Sequence, residues 1–181
     1  TQTCGYPLTH DLVGAVRVIA TPCYQASGCS GADYLSVILI GDDSPAARLE
    51  DLRGGRCAIN NLDSQSGFNA LRALVAPMGD GKPFFGEIVV SGSHLESAPM
   101  VGRGEADLAS LDCVTYTLLA VHDPERLAGT RVLCETESVP GLPYVTAATT
   151  SDDELNRLRQ GLAAACADPA LAEARSMLLL A

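Results

Sequence analysis

An α/β protein is the fold class this sequence predicts, and three observations predict it. Runs rich in β-branched residues alternate along the chain with segments whose apolar positions recur at helical spacing. Several of those runs end in a loop of small polar residues from which the next helical segment starts. The 181 residues, 47% hydrophobic and 19% charged, have an ordinary globular makeup, enough for one substantial core or two small lobes. Alternation of this kind implies mostly parallel sheets, with ligands bound beyond the carboxyl ends of the strands.

Taken in order, "AVRVIATP" (residues 15–22) is a short β-branched run stopped by a proline, and "YLSVILIGDDSP" (34–45) a nearly continuous one suited to a sheet covered on both faces. A Gly/Ser/Cys-rich loop separates them. "AARLEDLRGG" predicts a short helix broken by Gly54 and Gly55, and "RCAIN" a strand. After the polar loop "NLDSQS", Phe68, Leu71, Leu74 and Val75 recur at helical spacing over residues 67–76, with Pro77 and Gly79 as stops.

"FFGEIVVSGS" predicts a strand, "HLESAPMVGRGEA" a helix, and "DLASLDCVTYTLLA" a strand running into a helix near Val114. "TRVLCETESVPGLPYVTAAT" predicts two short strands about a Pro/Gly turn. "SDDELNRLRQGLAAACAD" predicts a helix capped by Ser151, with acids in its first turn where the macrodipole favours them. A last helical stretch begins at Pro169.

The net charge of −10, with 22 acids against 12 bases of which one, Lys82, is a lysine, excludes a nucleic-acid surface built on a basic stripe. An anion would therefore have to be held by local donors: backbone N–H groups, hydroxyls or one positioned base. No apolar run approaches the roughly 20 residues of a spanning helix. The seven cysteines form no CxxC pair, so no metal site is expected. Cys23 and Cys29, with Gly28 between them, are spaced to close a small disulfide loop in an oxidising compartment; the alternative is that all seven are reduced. The sequence opens at Thr1 without Met and without a basic-then-apolar stretch, which says nothing about export.

The residues after the strands are dominated by hydroxyls, glycines and one histidine: 21–24, 61–67, 91–94 and 112–116. Unpaired N–H groups at the start of the Gly67 helix carry partial positive charge, and Ser64 and Ser66 add hydroxyls at the same end. A serine there also reads as a plain N-cap, His94 as a capped surface histidine and Asp112 as a turn residue. "SGSH" (91–94) repeats the logic of "SQSG" (64–67), and the pair points to a bound tetrahedral oxyanion.

With those motifs in hand, the chain resembles the solute-binding proteins of phosphate, phosphite and phosphonate ABC importers. The resemblance rests on the "DLRG" turn, the S-x-S-G helix start, G-S-H followed by G-x-A-D thirteen residues past the histidine, and the late P-G-x-P. It implies a type II periplasmic-binding-protein-like fold of two α/β lobes joined by two crossing segments. The lobes would be 1–44 with 138–181, incomplete and trimmed at both ends, and an intact 45–137, with crossings near "GDDSP" and "TESVPG".

The resemblance also implies that Ser64, Gln65, Ser66, Gly67 and His94 hold the anion, with Ser93 beside the histidine and Tyr34 lining the pocket. Asp112 would read the far end of the ligand, and Cys4, Gly5 and Tyr6 would face the cleft. Tyr24 and Tyr116 are further candidates for its edge. Gln65 departs from the threonine common in the family.

The expected function is a non-enzymatic importer component, periplasmic or at the cell envelope, that needs no cofactor. Its partners would be a small anionic solute and an ABC transporter permease, and not nucleic acid, with the complete form a monomer. A cytoplasmic member would keep its thiols reduced. The alternatives are an effector-sensing domain of a regulator, or a serine hydrolase using Ser66 or Ser93, His94 and Asp112. The hydrolase reading lacks a G-x-S-x-G elbow.

Overall fold

The computed structural model describes residues 1–79 and 81–181. Among these residues the strands are β1 (Val16–Ala20), β2 (Asp33–Tyr34), β3 (Ser36–Gly41), β4 (Arg56–Ile59), β5 (Glu87–Val90), β6 (Leu108–Asp112), β7 (Thr130–Glu135), β8 (Val139–Pro140) and β9 (Tyr144–Ala147). The α-helices are α1 (Gly5–Thr9), α2 (Ala70–Val75), α3 (His94–Gly102), α4 (Cys113–His122), α5 (Asp152–Ala167) and α6 (Ala172–Met177).

The large sheet has the order β5-β4-β6-β3-β7. Its centre is the apolar run of β3, where Ile38, Leu39 and Ile40 are fully buried. Alternation along the strand sends Ile38 and Ile40 to one face, with Cys57, Ile59 and Leu71 of α2, and Leu39 to the other, with Ala98 and Val101 of α3 and Leu119 of α4. That two-sided cover is why the strand reads as continuous rather than alternating.

The expectation of mostly parallel sheets is corrected. β4 runs parallel to β5 and β6, but β3 is antiparallel to β6 and β7, and both two-stranded ribbons, β1-β9 and β2-β8, are antiparallel. Strand-helix alternation says which segments pair into a sheet, not the direction in which a strand enters it. The crossovers β4-α2-β5 and β5-α3-β6 are helical and leave β5 and β6 on either side of β4, each parallel to it; β7 returns beside β3 from the opposite direction.

Four local expectations also change. Residues 49–52 form a 3-10 turn rather than an α-helix, the helix expected over 67–76 opens as a π-helical turn over Gln65–Asn69, residues 130–149 hold three strands rather than two, and α1 is an added helix. No disulfide is present among the described residues. Cys23 is exposed, and Cys29 faces Cys113, with sulfurs 3.5 Å apart, instead of Cys23.

The ribbon β1-β9 carries α5, whose Arg159 donates to the carbonyls of Val18 and Ile19 at 3.0 Å each. Ser151 caps that helix as expected: its hydroxyl accepts from the Glu154 amide, and the Glu154 carboxylate accepts from the Ser151 amide. No described helix is long and apolar enough to cross a membrane.

Candidate functional site

Three strand ends of the large sheet meet at the turn that follows Ser64. After β4 the chain passes Asn60 and the exposed loop 61–63, then enters buried Ser64, Ser66 and Gly67. Ser64 is extended (φ −70°, ψ 128°) and its hydroxyl accepts from the Gly67 amide at 3.0 Å, so the N-cap reading holds. The turn it caps is wide: the Asn69 amide donates to the Ser64 carbonyl and the Ala70 amide to the Gln65 carbonyl, five residues back in each case. Ser110 of β6 fixes it from below, donating to the Ser66 carbonyl at 2.6 Å. The amides of Gln65 and Ser66 face the Cys4 sulfur, whose thiol is pushed up by burial, an effect those amides oppose.

Gly67 is where two other strand ends close in. A Cβ there would lie 1.8 Å from the Asn60 amide oxygen and 3.0 Å from His94 Cε1, so only glycine permits the approach. His94 opens α3 behind its cap, Ser93, whose hydroxyl accepts from the Glu96 amide at 3.2 Å. The imidazole Nε2 lies 3.0 Å from Ser66 Oγ and 3.5 Å from Asp112 Oδ2. Burial lowers the His94 pKa, and the Asp112 carboxylate works against that shift. Asp112 ends β6 and caps α4, accepting from the Thr115 amide at 2.7 Å.

Tyr34, 2% exposed, completes the ring. Its phenol lies by Ser66, Cys4 and Asp112 without completing a hydrogen bond, and burial, then the charge of Cys4 and Asp112, pushes its pKa up. Among the described residues three buried side-chain polar atoms lack a hydrogen-bond partner: Tyr34 OH, Asn60 Oδ1 and His94 Nδ1. All three border the first turn after Ser64. Each unmade bond costs about 1–3 kcal/mol, so the three leave polar capacity unmet beside one turn.

Of the residues read from the sequence, Ser64, Ser66, Gly67, His94, Asp112 and Tyr34 come together. Gln65 belongs to the same turn, where its Cγ lies 3.9 Å from the position a Cβ of Gly5 would take. Ser93 serves as a helix cap. Tyr6 stacks on His10 at 4.0 Å, and Tyr116 packs into the core under α3 and α4. Asn60 and Ser110 were missed. Asn60 carried a signal, a polar residue terminating an apolar strand; Ser110 sits inside a buried strand and carried none.

Two openings adjoin the cluster. One, about 660 Å³, runs from His94 past Thr115 and Leu118 to His122 and Arg126, with Met177 and Leu178 on its far wall. The other, about 300 Å³, reaches Asp112 between α4 and a wall of Gln2, Tyr24, Tyr144 and Leu180. No group of His, Cys, Asp and Glu side chains among the described residues is arranged to hold a metal ion.

The family model described as "ABC transporter, phosphonate, periplasmic substrate-binding protein" matches residues 1–178. No curated protein matches the chain.

Among solved structures, a binding-protein component of a phosphonate ABC transporter from Pseudomonas aeruginosa superposes with a TM-score of 0.76 at 20% identity, over 92% of this chain and 56% of its own. XAC2383 from Xanthomonas citri, bound to ATP, gives 0.74 at 21%, over 98% and 67%. PhnD1 from Prochlorococcus marinus, in complex with methylphosphonate, gives 0.58 at 17%, over 78% and 53%. The fold is that of the type II periplasmic binding proteins, and the chain spans from about half to two thirds of the length of these structures.

Proposed function

Since the chain belongs to the family of periplasmic substrate-binding proteins of phosphonate ABC transporters, we propose that it binds a small tetrahedral oxyanion of the phosphonate or phosphate type for delivery to a membrane permease. The observation that carries the reading is the set of unpartnered polar atoms beside the turn that Ser64 caps: Tyr34 OH, Asn60 Oδ1 and His94 Nδ1. A partly protonated oxyanion offers acceptors to the phenol and to an imidazole N–H, and a hydroxyl donor to an amide oxygen. It suits a molecule of net charge −10 because the donors are local.

The opening of about 660 Å³ beside His94 is far larger than bare phosphate needs, which favours a ligand with an organic substituent. We place the ligand between two lobes. Because Ser36–Gly41 pairs within the large sheet, the crossings fit the β2-β8 ribbon better than residues 41–45, and the large-sheet lobe then starts near Ser36 rather than residue 45. Closure would be driven by contacts made only in the ligand-bound closed state.

A serine hydrolase reading gains no support from the geometry. His94 uses the same nitrogen, Nε2, toward both Ser66 and Asp112, whereas a catalytic triad needs the carboxylate on one ring nitrogen and the hydroxyl on the other.

Isothermal titration with phosphate, phosphite, methylphosphonate, sulfate and ATP tests the proposal. Binding of at least one phosphorus oxyanion is expected. Ser66→Ala should weaken it roughly 10–100-fold, the loss of a hydrogen bond to a charged group, and cost about 1 kcal/mol of stability because the same hydroxyl bonds the buried His94 ring. Ser64→Ala should cost about 1 kcal/mol of stability as well, because that hydroxyl also caps the turn. Silence with every ligand would sink the proposal, and a Ser66→Ala protein that binds normally would move the site elsewhere.

A further inference from the structure

We propose that Cys29 and Cys113 form a reversible disulfide beside the anion site, a modification site that stands independently of which ligand binds there. The two sulfurs lie 3.5 Å apart, joining positions 84 residues apart in the chain. Their approach is built by the backbone. The Cys113 amide donates to the Leu35 carbonyl at 3.0 Å, and the segment from Ser30 to Asp33 is a tight turn closed by reciprocal backbone bonds of 3.0 and 3.1 Å. Gly28, at φ +90°, carries no Cβ; one placed there would sit 2.8 Å from Leu35 and 3.1 Å from Cys113 Cβ. The loop before Tyr34 is thus pressed against the start of α4, and the sulfurs have about 1.5 Å to close, from 3.5 Å to the roughly 2.05 Å of a disulfide.

The chemistry is asymmetric. Cys113 is buried and its thiol is pushed up to about 12, chiefly by burial, while Cys29 is half-buried. With oxidised glutathione as the oxidant, the Cys29 thiolate attacks one glutathione sulfur, forming a mixed disulfide and releasing glutathione thiolate. The Cys113 sulfur, losing its proton to solvent, then attacks Cys29 Sγ and releases the second glutathione thiolate. The pair gives up two electrons and two protons, and the oxidant becomes two glutathiones. The product ties the loop before Tyr34 to the start of α4 just after Asp112, a covalent link added to the contact that the Cys113 amide already makes with the Leu35 carbonyl.

Incubating the purified protein in glutathione buffers of increasing oxidising poise, trapping with an alkylating reagent and mapping unreduced peptides by mass spectrometry tests the assignment. A Cys29–Cys113 cross-linked peptide is expected, with two of the seven thiols lost and the thermal midpoint raised by roughly 5–10 °C. The Cys29→Ser variant should lose that rise. The proposal is overturned if Cys29 accumulates as a glutathione adduct while Cys113 stays reduced, if Cys29 is found joined to Cys23, or if the rise persists in Cys29→Ser. Should that variant not fold, the peptide map of the unaltered protein decides alone.

Discussion

A methyl group on Gly67 would press within 1.8 Å of the Asn60 amide oxygen and 3.0 Å of His94 Cε1, and both neighbours are held by the strand ends that bear them. Gly67→Ala should therefore weaken ligand binding by tenfold or more and lower the urea midpoint by the equivalent of about 1–3 kcal/mol, the range for overpacking a tight site. His94 gives a pH signature. Its folded pKa lies below its ordinary value, so the unfolded chain takes up the proton first as pH falls. Stability contributed by the neutral imidazole is then complete above about 6.5, the unfolded value, and is lost as pH drops from there toward the folded pKa. Urea midpoints taken between pH 7.5 and pH 5 should fall more steeply for the parent than for His94→Gln; parallel curves would mean that the ring titrates as in the unfolded chain. At this scale the two serines and the histidine were legible because each stands in a helix-start motif. Asn60 showed only as the polar residue that ends an apolar strand; its place beside the turn depends on a glycine seven residues later curving back against it.

The elements were legible where burial imposes a period and illegible where hydrogen bonding alone decides. β3 and α5 follow their apolar pattern and their caps, but the π-helical opening at Gln65 depends on which carbonyl the Asn69 amide chooses, and no pattern of side chains records that. The G-x-A-D motif turns out to be a joint between elements. Asp107 accepts from the Arg56 amide at 2.7 Å and from its guanidinium at 2.9 and 3.3 Å, pinning the start of β4 beside β6. The guanidinium bond leads in holding the carboxyl below its usual range. That stabilisation is present above the unfolded carboxylate pKa of about 3.9 and is lost as pH falls through the folded one. Asp107→Asn should lower the denaturation midpoint at pH 7, with the gap from the parent narrowing below about pH 4; a gap unchanged at low pH would assign the effect to packing. The pair is partly exposed, so the loss will be modest.

For the whole molecule, the chain's path through three sheets is the part the sequence held least openly. "YLSVILIGDDSP" looks like one strand, yet Tyr34 pairs with Val139 in a ribbon, while the next residues pair with β6 and β7. That split in pairing partners is the ground for the crossing proposed upstream of Ser36. Charge, by contrast, is fully readable from the sequence and makes a prediction about encounter. A body of net charge −10 repels an anion out to about the Debye length, roughly 10 Å at 0.1 M salt, and the proposed site offers attraction only through its short-range donors. Salt therefore screens a barrier rather than a steering field. Stopped-flow association of methylphosphonate should quicken as sodium acetate is raised from about 20 to about 200 mM, the reverse of the slowing seen when a basic patch recruits its ligand. Slowing would mean that a local positive field at the cleft mouth outweighs the acidic surface, and that recruitment does not rest on the short-range donors around Gly67.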